Sequence, residues 1–218
     1  MTLVFRHAAV ETALLALFPA GVTVAAERVG NGRAGEVWPE EHAAVAGAVP
    51  SRQAEFAAGR IAARRCLAAL GHPPVALPAG KDRAAIWPPG IFGSISHAGG
   101  IAVAVACKAG PVGVDIEADA GLEPDLWPVI CTAEELAALP ESDRGRWVRH
   151  VFSAKEAVFK SQDPERRAIF GFDAVTVRLV DGGFRARFRG DAGGFSAGQV
   201  VPGRLATVRG LVLTGVAT

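Results

Sequence analysis

Residues 147–160, WVRHVFSAKEAVFK, carry the pattern that decides the fold. Read at 3.6 residues per turn, they separate into an apolar stripe and a polar row. The stripe recurs at i, i+4, i+7 and i+11: Trp147, Val151, Ala154 and Val158. The row has the same spacing on another side: Arg149, Ser153, Glu156 and Lys160. We therefore predict an amphipathic helix on which a carboxylate and an ammonium lie one turn apart.

Two structural interpretations of this helix need no function. It could be a surface helix with one solvated ion pair, which stabilises a protein by only about 0–1 kcal/mol. Alternatively, Ser153 could be an N-cap and Glu156 its capping-box partner. This second interpretation fits less well, because the apolar stripe already begins at Trp147, before the supposed cap. Judged on the helix alone, the structural interpretations are favoured.

A second acidic stretch lies upstream, at residues 111–117, PVGVDIE. Apolar residues alternate with others along it, which predicts a strand with one apolar face. Asp115 and Glu117 then point the same way, and neighbouring carboxylates repel each other unless a cation lies between them. Mg²⁺ takes oxygen ligands and keeps several waters or substrate phosphates. With Glu156 these residues form a candidate three-carboxylate metal site, whereas the commoner alternative is a polar strand face.

The two stretches together resemble the signature of a known family. Residues 113–117, GVDIE, followed 35 residues later by residues 152–160, FSAKEAVFK, are similar to the motifs of the 4′-phosphopantetheinyl transferases. Within that family the chain resembles the Sfp-type enzymes, and among them the enterobactin-synthase-component-D-like group of siderophore and polyketide or nonribosomal peptide pathways. Each motif alone is moderately specific, but their order and spacing are strongly specific. The resemblance covers roughly residues 50–190 well and the first 45 poorly.

The resemblance implies an enzyme that transfers 4′-phosphopantetheine from coenzyme A to a serine of an apo acyl or peptidyl carrier protein, releasing adenosine 3′,5′-bisphosphate. It implies Mg²⁺, with Mn²⁺ as an alternative, held by Asp115, Glu117 and Glu156. Glu156 is then the candidate general base, directly or through a metal-bound water. The water route fits better, because coordination lowers the basicity of a carboxylate. Lys160 would stabilise or protonate the departing phosphate, and Lys155 would hold the pantetheine-side phosphate.

Further residues are implied in binding coenzyme A. A helix predicted from Ser51 to Leu70 contains GRIAAR at 59–64, which matches an arginine-bearing run near the coenzyme phosphates in the family. The loop GKDR at 80–83 matches one that approaches the adenine and 3′-phosphate, and SISH at 94–97 matches a phosphate-binding run. An anion beside His97 would raise the pKa of that histidine. The implied coenzyme-binding residues are Arg52, Arg60, Lys81, Arg83, Ser96, His97, Lys155 and Lys160.

The fold class implied is α+β, a pseudo-duplicated, two-lobed transferase fold in which each half packs a small antiparallel sheet on a long helix. We place the halves at residues 1–110, with the coenzyme-phosphate residues, and 111–218, with the metal and catalytic residues. The patterns predict a hairpin from 101–107 into the Asp-x-Glu strand and a second from 173–180 to 184–188. Other predicted elements are a strand at 3–5, a helix at 10–18, a strand at 22–26, loops at 30–35 and 190–203, and strands over 205–218 split at Gly210.

Three surface segments bear on partners and solvent. Carrier domains present an acidic helix beside the modified serine, so a basic and apolar rim is expected on the enzyme. Residues 122–130 and 144–149 are candidates for that rim by position. Residues 165–167, Glu-Arg-Arg, are predicted to be solvated beyond the end of the helix. A monomer is expected, since each half contributes to one shared site within a single chain.

Composition limits the other functions of the chain. Half of its 218 residues are hydrophobic and the net charge is +1, so no global field favours nucleic acid or an anionic membrane. The three cysteines form no Cys-x-x-Cys unit and, with the five histidines, give no zinc pattern. We expect reduced thiols and a cytoplasmic address. No apolar run reaches membrane-spanning length, and the N-terminus lacks a secretory signal pattern.

Two other functions compete with the transferase. A metal-dependent nuclease could use the same acids and lysine, but the near-zero net charge counts against it. A catalytically dead module that only binds carrier proteins is the non-enzymatic alternative. It is disfavoured because all four residues that the chemistry requires are present: Asp115, Glu117, Glu156 and Lys160.

Overall fold

The computed structural model describes residues 2–30 and 36–218, with side chains described from residue 7 onward. Its helices are α1 (Thr2–Leu17), α2 (Pro50–Ala69), α3 (Trp127–Ile130), α4 (Ala133–Ala138) and α5 (Arg144–Lys160). Its strands are β1 (Thr23–Arg28), β2 (Phe92–Ala98), β3 (Ile101–Cys107), β4 (Val112–Ala118), β5 (Val175–Val180), β6 (Gly183–Phe188), β7 (Val200–Val208) and β8 (Leu211–Ala217). Short 3₁₀ helices lie at Pro39–Ala44, Pro124–Leu126 and Phe172–Ala174.

The strands form two antiparallel sheets, with the orders β1-β3-β2 and β4-β8-β7-β6-β5. Helix α2 packs on the first sheet and α5 on the second. These two layered units confirm the α+β class and the long helix expected in each half. Throughout residues 2–30 and 36–218, no helix is long and apolar enough to cross a bilayer.

The predicted hairpin between residues 101–107 and the Asp-x-Glu strand is wrong. Strand β3 pairs with β2 through the turn at Gly99 and Gly100, and with β1 on its other edge. It has no free edge left, so β4 pairs with β8 in the other sheet. The hairpin of β5 and β6 is confirmed, as are two final strands meeting at Gly210. Strand β7 starts at Val200, inside the predicted loop 190–203.

The N-terminal predictions are met only in part. The strand predicted at residues 3–5 is wrong, because α1 covers them together with most of the helix predicted at 10–18. Three β-prone residues are too few to set local structure against the helix-forming run that follows. Strand β1 confirms the strand expected at 22–26. The loop predicted at 30–35 lies, except for Gly30, outside the described residues.

A single core joins the two sheets and explains how the functional strand is oriented. Buried side chains of α1, β1 and β3 pack against those of β4 and β8. Val112, Val114 and Ile116 turn into this core, as the alternation predicted. The opposite face of β4, with Gly113, Asp115 and Glu117, therefore faces α5.

Helix α5 lies directly on β4. A Cβ atom on Gly113 would come within 1.9 Å of the carbonyl oxygen of Ala157 and 2.8 Å of the amide nitrogen of Ser161. Only glycine permits so close an approach of helix backbone to strand. The predicted apolar stripe is confirmed as a core face, since Val151, Ala154 and Val158 are fully buried. This packing brings the polar row of α5 onto the acidic face of β4.

Candidate active site

A cavity of about 780 Å³ is lined by residues of both halves. All of the predicted site residues line it except Lys81 and Lys155. From the first half the charged and polar lining includes Arg52, Glu55, Arg60, Asp82, Arg83, Ser96 and His97. From the second half it includes Asp115, Glu117, Glu156, Lys160 and Arg167. The sequence-distant acids and bases thus face one space.

Asp115 joins β2, β4 and α5 at the base of the cavity. Its carboxylate is only 2% exposed. Oδ1 accepts hydrogen bonds from Ser96 Oγ at 2.9 Å and Lys160 Nζ at 2.7 Å, and Oδ2 accepts one from Ser153 Oγ at 2.8 Å. Ser153 also hydrogen-bonds the hydroxyl of Thr214. Ser153 lies in the interior of α5 and is fully buried, so it is neither an N-cap nor part of a solvated face.

Glu156 and Asp115 share the ammonium of Lys160. Oε2 of Glu156 lies 3.9 Å from Lys160 Nζ, and Oδ1 of Asp115 lies 2.7 Å from it. The two carboxylate oxygens can therefore be no farther apart than the sum of these distances. Burial raises the pKa of Glu156, and so does the charge of Asp115, although Lys160 opposes this. Burial lowers the pKa of Lys160, but the two carboxylates outweigh it and the net shift is upward.

Glu117 lies two residues beyond Asp115 on the same face of β4, and its carboxylate pairs with a different cation, Arg149. Its Oε2 accepts a hydrogen bond from Arg149 Nη1 at 3.0 Å. Burial and the charge of Asp115 raise the pKa of Glu117, and Arg149 lowers it by less. Arg149 belongs to the polar row of α5, so that row is not a solvated face but the counter-charge to the acids of β4.

Arg52, Glu55 and His97 contact one another at another part of the cavity wall. Arg52 Nη1 contacts both Nε2 of His97 and, at 3.4 Å, Oε2 of Glu55. Burial lowers the pKa of His97 and Arg52 lowers it further, although Glu55 raises it. The raised pKa predicted for this histidine therefore requires a bound anion. Without one, His97 is held neutral beside a permanent cation.

Arg60 is unusually buried for an arginine, with only 5% of its surface exposed. Its Nε donates to the carbonyl of Leu77 at 2.6 Å, and its guanidinium lies 4.1 Å from the ring centre of Phe56. Burial lowers the pKa of Arg60 to about 10, so the side chain stays cationic at neutral pH. It places a fixed, partly desolvated positive charge at the cavity wall.

Lys155 does not face the cavity described above. Its buried Nζ donates to Oε2 of Glu135 at 2.8 Å, to the carbonyl of Ile130 at 2.9 Å and to that of Phe172 at 2.8 Å. An ammonium has three donors, so none is left for a phosphate. The phosphate-holding role implied for Lys155 is thus corrected to a structural one, tying α5 to α3, α4 and the segment before β5.

The other exception is Lys81, which is exposed and outside the cavity lining. Its loop neighbour Arg83 does line the cavity, in a left-handed conformation with φ 65°. Of the two residues implied in this loop, the geometry favours Arg83.

Two residues were not predicted to belong to the site: Ser153, buried behind the cavity wall, and Arg167, which lines the cavity. Ser153 had a signal, because it sits in the same helical row as Glu156 and Lys160. Arg167 had none: it was predicted to be solvated, and that prediction is wrong, because its side chain lines the cavity and pairs with Asp82 at 2.9 Å.

Comparison with known proteins identifies the family that shares these motifs. Residues 40–107 match the 4′-phosphopantetheinyl transferase N-terminal domain, and residues 111–204 match the 4′-phosphopantetheinyl transferase superfamily. The chain is 36% identical over 201 residues to 4′-phosphopantetheinyl transferase Svp of Streptomyces mobaraensis, covering 83% of this chain and 78% of that protein. This chain belongs to the 4′-phosphopantetheinyl transferase superfamily.

Other relatives of the transferase extend the similarity. It is 31% identical over 191 residues to 4′-phosphopantetheinyl transferase PptT of Mycobacterium tuberculosis, covering 82% of this chain and 84% of that protein. It is 36% identical over 150 residues to enterobactin synthase component D of Salmonella typhi, covering 66% of this chain and 62% of that protein. The resemblance drawn from the motifs is thereby confirmed, and the two-lobed α+β fold of the transferase agrees with it.

Proposed function

We propose that this transferase moves 4′-phosphopantetheine from coenzyme A to a serine hydroxyl of an apo carrier protein and releases adenosine 3′,5′-bisphosphate in a Mg²⁺-dependent reaction. The observation that carries this proposal is the single cavity in which three carboxylates and Lys160 meet a separate set of arginines and a histidine. Residues 1–110 supply that second set and residues 111–218 supply the acids and Lys160. One chain therefore completes the site, which supports a monomer.

Binding of coenzyme A needs cations matched to its diphosphate and 3′-phosphate. Arg52, Arg60, Arg83 and His97 line the cavity on the side of the first half. A guanidinium binds phosphate oxygens through two parallel charge-assisted hydrogen bonds, so arginines suit this task. His97 beside Arg52 would take up a proton when an anion arrives, which would strengthen the site.

The carboxylates have the donor chemistry that Mg²⁺ requires, since it prefers oxygen ligands. Each acidic residue of β4 already forms an ion pair with a cation of α5: Asp115 with Lys160, and Glu117 with Arg149. Within the described part of the chain no three acidic, histidine or cysteine groups are yet gathered at ligand distance. The side chains of Asp115, Glu117 and Glu156 would therefore have to rearrange in order to hold the ion. When bound, Mg²⁺ neutralises charge on the diphosphate.

The transfer breaks one phosphorus–oxygen bond and forms another. The carrier serine oxygen attacks the phosphorus that bears pantetheine, and the bond from that phosphorus to the bridging oxygen breaks. Glu156 would take the serine proton, directly or through a water, and the water route fits better where Glu156 also holds the metal, because coordination lowers the basicity of a carboxylate. Lys160 would donate to the departing phosphate, and its hydrogen bond to Asp115 supports this role because it holds the ammonium in position.

A carrier protein would approach Glu156 from the side of a second, smaller cavity. That cavity has a volume of about 190 Å³ and is lined by Glu156 together with Phe159, Phe170 and Phe172. Ile169 beside it is 89% exposed, and Val129 in the predicted rim segment is 63% exposed. The apolar part of the rim is thus available. The basic part is less so, because Arg146 and Arg149 are paired with Asp119 and Glu117.

Mass spectrometry of a carrier protein tests the proposed function. The enzyme is incubated with coenzyme A, Mg²⁺ and an apo carrier protein. We expect the carrier mass to rise by one phosphopantetheine arm and adenosine 3′,5′-bisphosphate to appear. A carrier of unchanged mass, with every apo carrier type tried, would contradict the proposal and favour a nuclease or an inactive binding module.

A further inference from the structure

An ion pair spans the cavity between the two halves of the chain. Arg167 Nη1 lies 2.9 Å from Oδ2 of Asp82, 85 residues away in sequence, and both side chains line the cavity. Asp82 Oδ1 accepts the amide N–H of Ala84 at 3.1 Å, so its loop is preorganised and only the second oxygen faces Arg167. This pair has no role in the chemistry proposed above.

The segment that carries Arg167 is held firmly at the end of α5. Gln162, only 1% exposed, accepts the amide N–H of Ala168 at 2.8 Å. The neighbouring Arg166 packs instead beside Gly194, where an added Cβ would lie 3.2 Å from the Cβ of Arg166. The local structure thus sends Arg167 into the cavity, whereas Arg166 is absent from its lining.

Arg167 has more hydrogen-bond donors than its protein partners use. Its Nε is buried and has no hydrogen-bond partner among the described residues. A guanidinium presents five donors in a planar fork, and here Asp82 engages one of them from Nη1. A buried donor left without a partner is unfavourable. The side chain as a whole is 21% exposed, so an anionic ligand with several oxygens could use more of the fork than one carboxylate oxygen does, provided that the guanidinium turns as the ligand binds.

Asp82 has the opposite effect on such a ligand. It is a carboxylate next to Arg83 on the cavity wall, and the hydrogen bond from Arg167 lowers the pKa of Asp82, so it stays ionised. Its charge repels an anion and also competes for Arg167. Arg167 should therefore strengthen anion binding, whereas Asp82 should weaken it.

We propose that Arg167 is an additional binding residue for the anionic part of the coenzyme substrate, and that Asp82 holds its guanidinium until the phosphate oxygens replace the carboxylate. This proposal rests on the proposed function, in which coenzyme A is the substrate. It assigns substrate binding to a position on the second half that contacts the loop carrying Arg83. The coenzyme would then be bound by residues of both halves.

Calorimetric titration of coenzyme A into four proteins tests it: the wild type, Arg167→Gln, Asp82→Asn and the matched control Arg166→Gln. We expect Arg167→Gln to weaken affinity about tenfold. Asp82→Asn should tighten binding a few-fold, since it removes both the repulsion and the competitor. Arg166→Gln should bind as the wild type does. Arg167→Lys keeps the charge without the fork and should fall between the wild type and Arg167→Gln.

Two outcomes overturn the inference alone. One is wild-type affinity in Arg167→Gln. The other is equal weakening by Arg167→Gln and Asp82→Asn, which would make the pair only a tie between the halves. A wild-type protein that binds no coenzyme A would instead overturn the proposed function, and this inference with it.

Discussion

Lys160 Nζ lies 2.7 Å from Oδ1 of Asp115, and this contact joins the end of α5 to the middle of β4. The two residues differ in exposure: Asp115 is buried, whereas the side chain of Lys160 keeps 26% of its surface open. Its Nζ donates to Asp115 and, at 3.2 Å, to Ser96, so Lys160 balances a buried negative charge and keeps one of its three donors for the cavity. Structure and proposed chemistry depend on the same ammonium group.

Removing that ammonium should affect both rate and stability. Lys160→Gln is expected to lower kcat on the order of a hundredfold, because the departing phosphate loses a charged donor. It should also lower the free energy of unfolding by about 1–3 kcal/mol, since Asp115 is left buried without its cation. Transfer kinetics and urea unfolding measure the two effects. Lys108→Gln, on an exposed lysine of the β3–β4 turn, is the control, and near-normal kcat in Lys160→Gln would refute the assigned role.

Glu156→Gln should separate activity from stability. Loss of the base is expected to lower kcat by on the order of 10²–10⁴-fold. In the metal-free protein the raised pKa of Glu156 means that the folded state binds this proton more tightly than the unfolded chain. Its contribution to stability is therefore lost as pH rises from the ordinary glutamate pKa through the raised one. In the variant, the free energy of unfolding should fall less steeply as pH rises over this range. Near neutral pH the variant should be at least as stable as the wild type.

The measurements for Glu156 are kcat, and urea unfolding across the acidic range. The unfolding series is run without Mg²⁺, because coordination of the ion would lower the basicity of the carboxylate, whereas transfer needs Mg²⁺ and reports only the loss of kcat. Glu117 also has a raised pKa, so Glu156→Gln should flatten the stability profile only in part. A variant less stable than the wild type at neutral pH would show that Glu156 is held by favourable contacts instead.

Lys155→Met should be a stability variant. Glu135 would keep a buried carboxylate without its cation, and the carbonyls of Ile130 and Phe172 would lose a donor. Breaking one partner of a buried ion pair costs about 3–5 kcal/mol. We expect a lowered unfolding midpoint in urea, with the coenzyme A affinity of the folded protein unchanged by calorimetry. A large loss of affinity at wild-type stability would restore the phosphate-holding role.

Metal binding should depend on the release of Glu117 from Arg149. We expect Mg²⁺ to raise Tm and chelator to abolish transfer, because a ligand that binds only the folded state stabilises it. Arg149→Gln frees Glu117 from the 3.0 Å ion pair, so it should bind Mg²⁺ several-fold more tightly in calorimetry. Glu117→Gln should lose most of the Mg²⁺-induced shift in Tm. Weaker binding in Arg149→Gln would show that Arg149 positions Glu117 and does not compete for it.

Gly113→Ala should disturb the site through packing alone. The new methyl group would overlap the carbonyl of Ala157, next to Glu156, and force α5 away from β4. Overpacking typically costs about 1–3 kcal/mol, and the backbone contact here puts the expected loss at the upper end. Transfer activity should fall as Glu156 moves from Asp115. Gly190→Ala is the control, because a Cβ there meets no atom within 4 Å; equal behaviour of the two variants would rule out this packing argument.

The sequence by itself determined most of the local elements and the side of each on which its polar residues lie. The period of 3.6 in residues 147–160 placed the buried stripe of α5, and the alternation at 111–117 placed both acids of β4 on one face. These patterns succeed because each residue is sorted by its own contact with the core. The same reasoning could not show that β4 pairs with β8, since edge availability depends on strands far away in the chain.

The tertiary structure alone decided which polar residues share the cavity. Lys155 and Glu156 are neighbours in sequence, but the helical turn directs the ammonium of Lys155 to Glu135 and Glu156 to the cavity. Arg167 follows the helix in a polar segment that is typical of solvent, and only the approach of the loop with Asp82 brings it into the cavity. Such assignments depend on electrostatic partners supplied by distant segments, and periodicity within one segment carries no information about them.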